Sequence, residues 1–149
     1  MELLASGKLL CLTCGAVKLS PRDPMPQRLS CIFDRLRKII QSHQPDRVAI
    51  EDVFYALNVK SALKLGQVRG VALLAAAEHD VPVAEYAPLS IKSSVVGYGL
   101  AKKEQVQFMV ARLLNLPELP EPADAADALA IAICHLHTAQ TIALQEARS

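Results

Sequence analysis

The chain has 149 residues and a formal charge of +1, enough for one domain with a real core and too balanced to announce a nucleic-acid binder by itself. Hydrophobic residues make up 52% and charged residues 21%, with a mean hydropathy of +0.24, a balance suited to a soluble, apolar-rich α/β protein. The longest apolar stretches, 71–77 and 128–134, fall far short of the roughly 18 residues that a membrane span needs, and residues 1–8 have no basic region leading into a long apolar core. The expectation is a cytoplasmic protein that uses no membrane.

In chain order, residues 8–19 alternate loosely and are rich in Leu, Cys, Val and Thr, which predicts a strand. Pro21, Pro24 and Pro26 then mark a loop. From 27 to 43, apolar residues recur at Leu29, Ile32, Phe33, Leu36, Ile39 and Ile40, the period of an amphipathic helix. Residues 47–51 form a short apolar run of the buried, parallel-sheet kind. A long helix is expected over 61–79, with Gly66 and Gly70 pointing to close backbone approach by the sheet or by another subunit. A strand over 81–86, helices over 89–96 and 102–114, and a proline-punctuated loop over 117–122 follow. The last helix is expected over 125–140, with residues 141–149 as a loosely attached tail. This strand–helix alternation argues for α/β, with helices packed on a sheet.

Four cysteines stand at 11, 14, 31 and 134. Cys11 and Cys14 have CxxC spacing, but on a strand they would face opposite sides, so reduced and mostly buried thiols are expected rather than a metal site. His135 and His137, two apart on a helix, also diverge. Cations cluster at Arg35, Arg37 and Lys38, at Lys60, Lys64 and Arg69, and at Lys92, Lys102 and Lys103. Solvated helix faces account for any one of these clusters, which gain meaning only around a site that handles phosphate.

The acidic residues carry the chemistry. Glu51 leaves the C-terminal end of a predicted strand, the place where ligands bind in open α/β sheets. Asp124 and Asp127, three apart, share one face of a helix start. Such oxygen donors suit Mg²⁺ or Mn²⁺ in phosphodiester hydrolysis. Simpler explanations exist: Asp124 as an N-cap, Asp127 near N3 complementing the helix dipole, and Glu51 as a solvated strand end.

The surrounding motifs weigh against those simpler explanations. Val48-Ala49-Ile50-Glu51-Asp52-Val53-Phe54 and Ser61-Ala62-Leu63-Lys64-Leu65-Gly66-Gln67-Val68-Arg69-Gly70-Val71 resemble the RuvC-type Holliday-junction resolvases. So do Ile91-Lys92-Ser93-Ser94-Val95-Val96-Gly97, Lys103-Glu104-Gln105-Val106-Gln107 and Ala123-Asp124-Ala125-Ala126-Asp127-Ala128-Leu129-Ala130-Ile131-Ala132. The resemblance runs in order over about residues 8–140. It implies an RNase H-like fold with helices on a mixed central sheet, a homodimer, Mg²⁺ dependence with Mn²⁺ as an alternative, and paired nicks in a four-way DNA junction during recombination and repair. A branch-migration helicase complex of RuvA and RuvB is the implied partner.

By the same resemblance Glu51, Asp124 and Asp127 match three of four metal-binding catalytic acids. Phe54 matches an aromatic that stacks on bases at the opened junction, with core packing as its alternative role. Lys92 and Lys103 match basic residues that bring positive charge to the scissile phosphate, and the helix over 61–79 matches the dimer contact.

The family's opening strand, of the form Ile-Leu-Gly-Ile-Asp-Pro-Gly, has no counterpart here, and with it the fourth acid. The expectation is a single resolvase domain over 1–149 that lacks the family's first, central strand, as a truncated reading of a longer protein. Two readings of function stand at this point: a junction-resolving endonuclease, and a non-catalytic junction-binding protein that has lost its metal centre. A related ATP-binding protein would need a glycine-rich phosphate loop, and this sequence has none.

Overall fold

A computed structural model of the chain describes residues 1–52 and 58–147. Its elements are β1 (Glu2–Leu3), β2 (Leu9–Leu10), α1 (Met25–His43), β3 (Val48–Glu51), α2 (Val59–Ala77), β4 (Val83–Tyr86), α3 (Pro88–Val96), α4 (Lys103–Leu113) and α5 (Ala123–Glu146). They fall into two compact units. One draws on Met1–Ala16, Ala49–Asp52 and Glu85–Ser149, the other on Val17–Val48 and Val53–Ala84.

In the first unit α3, α4 and α5 pack on one another around Ile91, Val95, Val106, Val110, Leu129 and Ile133. Val110 and Ile133 are the largest side chains sealed completely from water. Leu9 and Tyr86 from the strands, with Met1 and Cys11 beside β1 and β2, close over this core. The helix ends follow local chemistry. Pro88 opens α3 and Gly97, at φ 97°, closes it in the left-handed region. Gln105 Oε1 accepts both the Lys102 backbone N–H and the Tyr98 hydroxyl, each at 2.8 Å, which fixes the start of α4.

The second unit is built on the packing of α1 against α2. Pro26 lies in the first turn of α1, and Gln44, at φ 42°, ends it ahead of Pro45. Asn58 caps α2 by accepting the Ser61 N–H at 2.9 Å. A Cβ built on Gly66 or Gly70 meets nothing within 4 Å among the described residues. The same helix leaves Val59, Leu63, Leu65 and Leu74 exposed.

The sheet is small and comes in two pairs. β1 and β2 are antiparallel, with Glu2 opposite Leu10 and Leu3 opposite Leu9. In the β3–β4 pair, Val48 N–H bonds to Pro82 O at 3.0 Å and Asp52 N–H to Tyr86 O at 2.8 Å. These bonds advance together along both strands, which makes the pair parallel. The fold is thus mixed α/β, as expected.

Several boundaries differ from those expected. The strand over 8–19 shrinks to Leu9–Leu10, because a strand lasts only while a neighbour takes its backbone hydrogen bonds, and β1 offers two residues. Without that strand the expected divergence of Cys11 and Cys14 loses its basis; burial raises the Cys11 thiol above its ordinary value, and Cys14 adds to the rise. All four thiols are free, yet only Cys134 is buried, while Cys14 and Cys31 are exposed. The last helix starts two residues earlier than expected and runs on to Glu146, with 141–147 exposed.

Candidate metal centre

Glu51 is the last residue of β3, and the Asp52–Tyr86 backbone bond holds that strand end beside β4. Asp124 and Asp127 enter from the start of α5. Pro122, rather than Asp124, occupies the N-cap position, and no side chain caps this helix. Asp124 therefore lies in the first turn and Asp127 one turn further in. The capping explanation of the pair fails; the favourable interaction of Asp124 with the helix dipole remains. Ala125 and Ala126, between the two acids, are completely buried and press this turn onto the core.

Two lysines meet these acids. Lys103 opens α4 and donates from Nζ to Asp127 Oδ2 at 2.9 Å, with Asp124 Oδ1 at 3.9 Å. That hydrogen bond and the Asp127 charge raise the Lys103 ammonium above its ordinary pKa. Lys92, on α3, is the second cation. Glu51, Lys92, Lys103 and Asp127 line a cleft of about 220 Å³ whose apolar wall includes Ile91, Val106 and Ile131. Glu51 is half-buried here. Burial pushes its carboxyl upward, the Asp127 charge adds to this, and Lys92 pulls it partly back.

Of the residues singled out in the sequence, then, Glu51, Asp127, Lys92 and Lys103 share one cleft. Asp124 joins them through Lys103, with its side chain 85% exposed. Phe54 lies outside the described residues. Among the described residues no three acidic, His or Cys side chains stand close enough to hold a metal ion together. The ammonium of Lys103 lies beside both Asp127 and Asp124.

Sequence reasoning missed the polar ties behind this site. Tyr86 Oη and His135 Nδ1 lie 2.8 Å apart, with the rings edge to face at 5.9 Å. Ser94 Oγ and His137 Nδ1 lie 3.2 Å apart. The first tie holds α5 to β4, the second to α3. The histidines do diverge as expected; the signal for their partners was only that both sit in an otherwise apolar helix.

The family model described as crossover junction endodeoxyribonuclease RuvC matches residues 2–135. This chain belongs to the RuvC family. It is 63% identical over 142 residues to the crossover junction endodeoxyribonuclease RuvC of Koribacter versatilis, covering 95% of this chain and 86% of that one. The RuvC of Acidobacterium capsulatum is 61% identical over 134 residues, covering 90% and 78%. A solved structure of T. thermophilus RuvC in complex with Holliday junction substrate superposes with a TM-score of 0.86 at 38% identity, over 90% of this chain and 81% of that one. A second, of Thermus thermophilus RuvC, gives 0.84 at 37%, over 94% and 84%. The RNase H-like fold is that of these RuvC structures.

RuvC enzymes depend on a divalent metal. The donors fit one by their chemistry: they are carboxylate oxygens, the ligands of hard divalent ions, and Asp127 and Asp124 already attract a cation in Lys103.

Proposed function

We propose that this chain is a structure-selective endonuclease that resolves four-way DNA junctions by metal-dependent phosphodiester hydrolysis, in recombination and repair. The observation that carries the reading is the cleft in which a strand-end glutamate and a helix-start aspartate face two lysines. Glu51, Asp127 and Asp124 would hold the metal, Mg²⁺ or Mn²⁺. When bound, it supplies Lewis-acid activation of water and charge neutralisation at the scissile phosphate.

The chain's own groups do the rest. Lys92 and Lys103 bring positive charge to the phosphate, and the apolar wall of Ile91, Val106 and Ile131 keeps the acids partly out of water. Water attacks in line at phosphorus as the bond to the opposite sugar oxygen breaks, leaving one strand end with a phosphate and the other with a hydroxyl, with no covalent intermediate. Phe54 stacks on bases at the opened junction. A homodimer presents two such clefts to opposing strands. The open glycines and exposed apolar side chains of α2 support that helix as the contact between copies. The RuvA–RuvB branch-migration helicase complex is the partner this reading brings with it, and the cytoplasm its location.

The test is Glu51→Gln on a synthetic four-way junction. The amide keeps the shape of the side chain and removes the anionic donor. Cutting with Mg²⁺ should fall by at least a hundredfold, while the gel shift of the junction stays within about threefold of wild type; retained cutting would remove Glu51 from the site. Wild-type protein that shifts junctions and cuts none, with Mg²⁺ or Mn²⁺, would instead establish the non-catalytic binder.

A further inference from the structure

Lys103 breaks a local rule. It is the first residue of α4, where the partial positive charge of the helix end disfavours a cation, and its side chain is half exposed, so no burial demands it there. Its partners lie on another helix: the ammonium is 2.9 Å from Asp127 and 3.9 Å from Asp124. The position suits the acids of α5 rather than the stability of α4. Such departures from local preference mark functional places.

We propose that Lys103 is the resident counter-cation of the carboxylate centre, holding Asp127 and Asp124 until a divalent ion displaces it. The inference rests on the reading of these acids as metal ligands and adds a competition to it. The ammonium lies beside both aspartates, so a divalent ion held by the same oxygens would meet a cation already there, and two cations at one spot repel. A divalent ion takes carboxylate oxygens at about 2.0–2.1 Å, far closer than the ammonium sits. The exchange is easy, because an ion pair this open to water is weak. Lys103 thereby has two partners: Asp127 in the metal-free protein, and substrate phosphate arriving at the cleft that both residues line in the loaded one. The same residue keeps the aspartates together beforehand and becomes available to substrate afterwards.

The experiment titrates Mn²⁺ into the full chain without DNA, by calorimetry, for wild type, Lys103→Met, Lys103→Arg and Lys102→Met. Lys102 is the neighbouring exposed lysine and serves as the control for loss of one positive charge. Lys103→Met should bind Mn²⁺ roughly three- to fivefold more tightly, the fold-change that an exposed ion pair commands. Lys103→Arg should stay near wild type, and Lys102→Met should gain less than half as much as Lys103→Met. Equal gains in the two methionine variants, or none in Lys103→Met, overturn the competition while leaving the metal centre in place. Absence of Mn²⁺ binding in all four proteins overturns the metal centre itself, and the competition with it.

Discussion

At the scale of single residues, environment separates groups of the same type. Glu51 and Asp124 are both carboxylates, yet burial and the charge of Asp127 raise the first, while the second projects into water at the start of a helix. The cysteines divide in the same way. Cys134 is sealed in the core, and burial raises its thiol above the ordinary value, against partial relief from Ser94 and Thr138. A raised thiol holds less thiolate at a given pH, and the thiolate is the nucleophile. Cys134 should therefore be the slowest of the four to alkylate with iodoacetamide at pH 8, by at least tenfold relative to exposed Cys31, in a mass-spectrometric time course. Matching rates at the two positions would place Cys134 outside the core.

Among the elements, α5 links core and site. Its first turn carries Asp124 and Asp127, and its middle buries Leu129, Ala130, Ile133 and Cys134 against α3 and α4. The helix extends past its expected C-terminal end through its own backbone bonds, with Ala147 N–H still bonded to Ala143 O, although 141–147 are exposed and nothing in the residues around 140 marks a stop. Ile133 is fully buried, so Ile133→Ala removes transfer energy and leaves a cavity. The cost should be roughly 2–5 kcal/mol, read from urea unfolding in the absence of metal. A loss below 1 kcal/mol would mean that the three-helix core is not the stabilising centre of its unit. Strand β2 shows the opposite case, for its apolar residues run on toward Leu19 while its ladder stops at Leu10.

For the whole molecule, a net charge of +1 gives little long-range attraction for DNA. Binding of a junction must then come from where the cations are grouped, and Lys92 and Lys103 stand on one cleft. Affinity for a four-way junction should fall steeply with salt, as counterions are released from phosphate. Lys92→Ala should lower the slope of log affinity against log salt by about 1. An unchanged slope would show that Lys92 makes no phosphate contact. The fold as a whole matches solved RuvC structures with TM-scores of 0.86 and 0.84, so this local grouping is carried on a shared frame.

Much was decided by sequence alone. Helical periods located α1 and α4, prolines marked their C-terminal ends and the start of α5 within a few residues, and the motifs around Glu51, Asp124 and Asp127 identified the family. Those features are local, and local propensity together with an ordered set of motifs survives without coordinates. Tertiary structure alone decided which residues meet. Nothing in the sequence announced that Lys103 would lie 2.9 Å from Asp127, 24 positions away, or that Tyr86 would reach His135. It also decided that Pro122 rather than Asp124 takes the N-cap position of α5, and that Gly66 and Gly70 have no neighbour within 4 Å among the described residues. Contacts between distant segments depend on how helices pack, and packing is a property of the assembled chain rather than of any stretch of it.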